Sequence, residues 1–160
     1  MPAVVKRFAN DLDITYEAVD ANLNGGELVI PSTTATTDPS LQGIKVAGDA
    51  ALNVLGVVSK PCVTNANQAA AQQGTGAAPG SYPFADAGVP SATATVYNNV
   101  VCQVTYTAVA VPYGARLAAA AGGAVRAWVA GDGAAAIVGW CAQPGGVSSA
   151  GGLALARIHV

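Results

Sequence analysis

The sequence predicts an all-β fold, either a small β-barrel or a β-sandwich, and three observations support this prediction. Residues 100–107 alternate between apolar and mostly polar side chains, the period of two that a strand with one buried face requires. Short runs of strand-forming residues recur at short intervals and are separated by glycine-rich turns, as in sandwiches and barrels. Only residues 115–121 have the composition for a helical turn or two, and the pair Gly122-Gly123 ends that run.

The predicted strands follow one another along the chain. The first is residues 27–30, which ends at Pro31 because proline cannot donate a hydrogen bond to a neighbouring strand. Residues 43–59 predict two short strands joined by a Gly-Asp turn. Beyond residues 100–107, apolar residues alternate or run together between glycines and predict further strands at 124–129, 136–141 and 153–160.

The chain is expected to form one domain with two irregular segments. Residues 1–24 sustain neither a helical nor a strand period, which predicts an extended N-terminal arm. Residues 25–160 are predicted to form a single β domain. Within it, residues 60–97 are rich in small and polar residues, glycine and proline, which predicts a long inserted surface loop.

A Val-Ala-Gly-Asp motif occurs at residues 46–49 and again 83 positions later, at residues 129–132. We interpret it as a repeated hairpin, because glycine and aspartate tolerate the left-handed conformations of tight turns. The turn residues are predicted to be Gly48, Asp49, Gly131 and Asp132. A further glycine follows seven residues after each aspartate, and it predicts a bulge or a close approach of two backbones.

Composition and charge exclude several classes of function. Only 10% of the residues are charged and 52% are hydrophobic, which favours an obligate assembly whose interfaces hide surface. The net charge is −2 and the basic residues are scattered, so no nucleic-acid partner is expected. The N-terminal residues lack the apolar run of a secretion signal, and charges and glycines interrupt the apolar stretch at residues 117–141. Neither a signal peptide nor a membrane span is therefore expected.

The sequence contains no recognisable catalytic or metal-binding pattern. His159 is the only histidine and lies on the terminal strand without a motif that would orient it as a base. Together with Cys62, Cys102 and Cys141 it supplies zinc-ligand residue types, but no Cys-x-x-Cys pair is present. An odd number of cysteines predicts reduced thiols. We expect no enzymatic activity, no catalytic residue, no cofactor and no metal.

Two features are candidates for contacts with partners. Trp128 and Trp140 are predicted at a subunit interface, because tryptophan is enriched among interface anchors. The N-terminal arm is predicted to lie as an extended segment along the sheet edge of a partner. Its candidate contact residues are Val5, Phe8, Asp11, Ile14 and Tyr16.

Residues 43–57 and 130–140, continued by residues 151–158, resemble the head-decoration (capsid cement) proteins of tailed double-stranded DNA phages. Together with residues 100–106 they cover about half of the chain. The resemblance implies a β-rich homotrimer on the outer capsid surface that binds the major capsid protein and stabilises the assembled shell. It also implies synthesis in the host cytoplasm, and it favours a capsid contact made by the N-terminal arm.

A function of a different class remains open from the residues alone. A small β-barrel on a virion or a cell surface can act as a binding module for carbohydrate or for a host surface. Aromatic side chains near the predicted loop, at Tyr82, Phe84 and Tyr97, favour that alternative.

Overall fold

The computed structural model describes residues 14–62, 64 and 93–160. These residues form ten β-strands and three single-turn 3-10 helices, and none of them lies in an α-helix. The predicted all-β class is therefore confirmed. No helix in the described residues has the length and hydropathy to span a membrane.

The first half of the structure, which we call the first unit, is a closed five-stranded barrel. Its strands are β1 (Ile14–Ala18), β2 (Leu28–Pro31), β3 (Gly43–Val46), β4 (Gly56–Val58) and β5 (Thr93–Tyr97). Around the barrel the order is β1-β3-β2-β4-β5, and β5 pairs with β1 to close it. The β1–β3 pair is parallel and the other pairs are antiparallel.

The second half, the second unit, is a five-stranded sheet that follows the barrel after Asn98. Its strands are β6 (Asn99–Thr105), β7 (Arg116–Ala119), β8 (Val125–Ala127), β9 (Ile137–Cys141) and β10 (Leu153–His159). The order is β6-β10-β9-β7-β8. A parallel bridge between Tyr106 and Val125 brings β8 back to the end of β6, so this sheet also curls almost to closure.

The two units have the same topology. Each strand of the first unit corresponds to the strand five places later, so that β1 matches β6 and β5 matches β10. Every pair of neighbouring strands then recurs with the same relative direction. The parallel β1–β3 pair corresponds to the parallel bridge between the end of β6 and β8. Strand β4 corresponds to β9, and the glycines Gly56 and Gly139 lie at matching positions in them. The 83-residue sequence repeat therefore marks a structural duplication. The sequence predicted one β domain, and the described strands form two units of the same topology.

The first unit includes strands from two segments that were predicted to lie outside the sheet. Strand β1 lies within the predicted arm, residues 1–24, and β5 lies within the predicted loop, residues 60–97. Both are paired on each side, and Tyr16 and Ala18 of β1 are buried in the barrel core. Burial does not alternate along β1, because Glu17, between these two residues, is also buried.

Residues 115–121, the one candidate for a helical turn, contain strand β7 instead. Leu117, Ala118 and Ala119 are completely buried, and β7 lies between β8 and β9. Alanine favours helices in isolation, but pairing and burial on both sides decide the conformation here.

The two units share a hydrophobic core across their junction. One cluster fills the first barrel, with Val29 and Val58 among its members. The other fills the second unit and extends to Leu28 and Val57, which lie on the outside of the first barrel and are completely buried. Adjacent residues of one strand point to opposite faces, so β2 and β4 each contribute to both clusters. Burial on both faces joins the units into one body.

All three cysteines are buried free thiols, as the sequence predicted. Burial raises the pKa of the Cys62 thiol to about 11 and that of the Cys102 thiol to about 12. Cys102 and Cys141 both pair with Ala156 of β10, from opposite sides. They are therefore separated by two strand spacings, about 10 Å, which is too far for a disulfide bond.

We expect the native protein to resist thiol-specific reagents at mildly alkaline pH, because the thiolate is the reactive form and burial disfavours it. Ellman's reagent should label the thiols slowly in the folded protein and all three at once in denaturant. The folded pKa values of Cys62 and Cys102 lie above the ordinary value of 9.0. The contribution of these two protonated thiols to the free energy of unfolding is therefore complete below pH 9.0 and is lost as the pH rises through about 11 to 12. Rapid labelling of the native protein would contradict the burial of these residues.

Candidate functional site

The two Val-Ala-Gly-Asp motifs lie in equivalent connections, between the third and fourth strands of each unit. Strands β3 and β4 lie on opposite sides of β2, and β8 and β9 lie on opposite sides of β7. The predicted hairpin is therefore wrong, since the connection must cross two strand spacings, about 10 Å, beyond the reach of a two-residue turn. Gly48 and Asp49 lie in an exposed connection, and Gly131 and Asp132 lie in a 3-10 turn, Ala130–Asp132.

The aspartates of the two motifs bind the same arginine. Arg126, in β8, donates from Nε to Oδ1 of Asp49 at 2.7 Å. Its Nη1 and Nη2 donate to Oδ2 and Oδ1 of Asp132, each at 2.8 Å. The second contact is a bidentate pair of charge-assisted hydrogen bonds, the strongest geometry for this type of interaction. Arg126 therefore connects the duplicated motifs across the junction of the two units.

The two carboxylates of this ion triad differ in exposure. The Asp132 side chain is 9% exposed and that of Asp49 is 62% exposed. Hydrogen bonds from Arg126 and from the backbone N–H of Val129 lower the pKa of Asp132 to about 2. The same two carboxylates raise the pKa of Arg126 above its ordinary value. The Arg126–Asp132 pair is thus charged at neutral pH, and the triad links the two units.

Backbone hydrogen bonds reinforce the triad at the same place. Ala50, which follows Asp49, donates its N–H to the carbonyl of Ala119 in β7 at 3.0 Å. Gly123 donates its N–H to the carbonyl of Ala47 at 3.1 Å. The first motif is therefore fixed to the second unit through both main chain and side chain.

Both tryptophans lie on the outer face of the second unit. The Trp128 indole N–H donates to the carbonyl of Gly133 at 2.8 Å, and the Arg116 guanidinium lies 5.7 Å from the centre of its ring. Trp140 is 37% exposed, and its ring centre lies 6.2 Å from that of His159. The predicted subunit contact of these two residues stays a prediction.

Arginine and tryptophan alternate across this face. Trp140 in β9 pairs with Arg157 on one side and with Arg116 on the other, and the N–H of Trp128 bonds the carbonyl of Arg116. Directly paired residues project from the same face of a sheet. We call the resulting line of Arg157, Trp140, Arg116 and Trp128 the Arg–Trp row.

The residues predicted as the contact arm separate into two groups. Val5, Phe8 and Asp11 lie outside the described residues. Ile14 pairs with Val96 within the first barrel, and Tyr16 is buried in its core. The side chain of Tyr16 is therefore unavailable to a partner of the folded barrel.

The described residues contain no group of three His, Cys, Asp or Glu side chains placed to hold a metal ion. The one buried carboxylate among them, Glu17, accepts hydrogen bonds from the backbone N–H groups of Thr37 and Asp38. It fixes the connection between β2 and β3 and is a structural residue. Tyr97, one of the aromatics of the alternative reading, packs against the core of the second unit, and Tyr82 and Phe84 lie outside the described residues.

No sequence motif predicted the arginines that organise these surfaces. Arg116, Arg126 and Arg157 are isolated in the sequence and belong to no motif. A signal for Arg126 was present, because it lies on the outward face of an alternating strand six residues before Asp132. The contact with Asp49, 77 positions away, had no sequence signal.

The chain has the fold of a known phage protein. It superposes on the crystal structure of the N base of head fibre gp8.5 of bacteriophage phi29 with a TM-score of 0.57 and 13% sequence identity. The match covers 92% of this chain and 93% of the phage protein, so it includes both units. At this identity the similarity shows the fold. No protein-family model and no curated protein sequence matches the chain.

Proposed function

We propose that this chain is a non-enzymatic structural protein of a virion, which binds the outside of an assembled capsid and stabilises it as a decoration or cement protein. The similarity over nearly the whole chain to the base of a phage head fibre supports this proposal. The partner is the major capsid protein, no cofactor takes part, and the protein is made in the host cytoplasm before it joins the capsid surface.

The junction between the units supports a bracing role. The shared core and the ion triad of Arg126 hold the two units together, which suits a protein that braces its neighbours. A rigid protein that binds the assembled shell and not free subunits shifts the assembly equilibrium towards the shell by mass action. As a homotrimer it would present three copies of one weak contact simultaneously, which raises the total affinity.

The proposed capsid contact is the N-terminal arm, with Val5, Phe8 and Asp11 as its contact residues. Strand β1 fixes the start of the barrel and Tyr16 is buried in its core, so β1 would anchor the arm and Tyr16 would not touch the capsid. This division makes a precise truncation experiment available.

We expect deletion of residues 2–12 to leave the fold intact and to abolish binding to capsids, because β1 is retained. The measurement is co-sedimentation with undecorated capsids, together with the temperature at which those capsids disassemble. The full-length protein should sediment with the capsids and raise that temperature.

Deletion of residues 2–20 is the matched control. It removes β1, which closes the barrel between β3 and β5, and it should lower the thermal unfolding midpoint sharply. Capsid binding that survives the shorter deletion would refute the arm as the contact. Native mass spectrometry tests the trimer, which predicts three times the 15.7 kDa chain mass.

A further inference from the structure

The outer face of the second unit carries a groove that the proposed capsid contact does not use. A groove of about 380 Å³ is lined by Tyr113, Trp140, Arg157 and His159, with intervening backbone. A second groove of about 310 Å³ lies on the other side of Arg157, and Asn99 contributes to it. Because Arg157 lines both, the two form one elongated depression along one end of the Arg–Trp row.

The depression offers aromatic surfaces to a ligand. Tyr113 is 70% exposed, and Trp140 is 37% exposed beside the tilted ring of His159. Exposed rings of this kind stack against the C–H faces of sugars, since the ring face carries partial negative charge. The side chains of Asn99 and His159 add hydrogen-bonding groups that suit hydroxyls.

The charges on this face are positive. Residues 99–160 contain three arginines and one aspartate, and that aspartate, Asp132, is bound to Arg126. Arg157 and Arg116 are both exposed and flank Trp140. Their strands are two spacings apart, about 10 Å, and the Arg116 guanidinium lies over Trp128, beyond the residues that line the depression. A polymer with one carboxylate on every second sugar would reach Arg157 within the depression and Arg116 beyond Trp140, with a sugar over Trp140 between them.

We infer that the depression on β10 and β9 binds an acidic polysaccharide with carboxylates on alternate sugars. The elongated shape favours an extended polymer, the rings favour sugars, and the two arginines favour carboxylates. Trp140 is thereby assigned to a ligand and not to a subunit contact. The inference is independent of the proposed capsid role, because the residues named as lining the depression all belong to the second unit.

The test is isothermal titration calorimetry of the full chain with three probes at low ionic strength. A hyaluronan octasaccharide carries a carboxylate on alternate sugars, a chitin octasaccharide is its neutral counterpart, and poly-L-glutamate carries carboxylates without sugars. We expect saturable binding of hyaluronan that added salt weakens, and little binding of the other two. Equal or tighter binding of poly-L-glutamate would show that the face recognises acidic protein, and absence of hyaluronan binding would overturn the inference.

The variants Trp140→Ala and Arg157→Gln should each weaken hyaluronan binding roughly tenfold, as expected for one stacking or one charge-assisted contact. Lys60→Gln removes an exposed cation of the first unit, and Leu52→Ala removes an exposed apolar side chain there; both should bind as the unaltered chain does. Circular dichroism and native mass accompany each variant. If Trp140→Ala changes the oligomeric mass, Trp140 belongs to a subunit contact and the inference fails. Capsid co-sedimentation of the same variants should be unchanged, so the two proposals can fail separately.

Discussion

Replacement of Gly139 by alanine is expected to lower the free energy of unfolding by about 3–5 kcal/mol, from steric overlap and an unfavourable backbone conformation. A Cβ atom at this position would lie 2.0 Å from the carbonyl oxygen of Arg157, and the backbone φ is +156°. The obstacle is the backbone of the neighbouring strand β10, which cannot move without disturbing its pairing with β9. In thermal unfolding the midpoint should fall by roughly 10 °C.

Gly131→Ala is the matched control, because nothing lies within 4 Å of a Cβ atom built there. In the first unit, Gly56→Ala should reproduce the large effect, because a Cβ atom there would lie 2.3 Å from the carbonyl oxygen of Tyr97. Gly48→Ala is the corresponding control in that unit. The expected pattern is that the glycine of each motif tolerates alanine and the glycine seven residues after its aspartate does not. Similar midpoints for Gly139→Ala and Gly131→Ala would show that the strands separate without cost and would refute the close approach.

Replacement of Arg126 by methionine should lower the thermal unfolding midpoint by roughly 5 °C, because it leaves the nearly buried carboxylate of Asp132 without its bidentate partner. It also removes the side-chain link between Asp49 and the second unit. Differential scanning calorimetry is the measurement. A separation of the single transition into two would indicate that the units then unfold independently.

Asp49→Asn is the matched control, because it weakens the exposed Arg126–Asp49 ion pair and keeps the Arg126–Asp132 pair. It should change the unfolding midpoint by only about 1 °C, since exposed ion pairs contribute little. The pH dependence gives a second readout. The folded pKa of Asp132, about 2, lies below the ordinary value of 3.8, so its contribution to stability is complete above pH 3.8 and is lost as the pH falls towards 2. Arg126→Met should reduce that acid-side loss. A variant that keeps the full acid dependence would show that Asp132 does not depend on Arg126.

The strands with an undisturbed alternation were predictable. The prediction for residues 100–107 placed Val100, Cys102, Val104 and Tyr106 on one buried face, and all four are buried in the structure. Strand β1 was missed although Ile14, Tyr16 and Ala18 alternate with polar residues, because the run is only five residues long and no period is sustained across residues 1–24. Only the structure shows that Glu17, on the other face, is buried and held by backbone N–H groups about 20 positions away.

The repeat was detected in the sequence, but its geometry was misread. A Gly-Asp pair between apolar runs is the usual sign of a hairpin, and the rule assumes that consecutive strands pair. Here β3 and β4 each pair with β2 instead, and β8 and β9 each pair with β7. The glycine after each motif was interpreted correctly as a close backbone approach.

By itself, the sequence determined the all-β class, the reduced cysteines, and the equivalence of the two motif regions. Side-chain alternation, an odd cysteine count and local identity can each be read from the chain without knowing which strands pair. The tertiary structure alone decided that the motifs belong to two stacked units and that both aspartates meet at Arg126. It also decided that arginine and tryptophan alternate across one face. Those relationships join residues of different strands that are far apart in the sequence, and they depend on which strands pair, which local side-chain patterns do not specify.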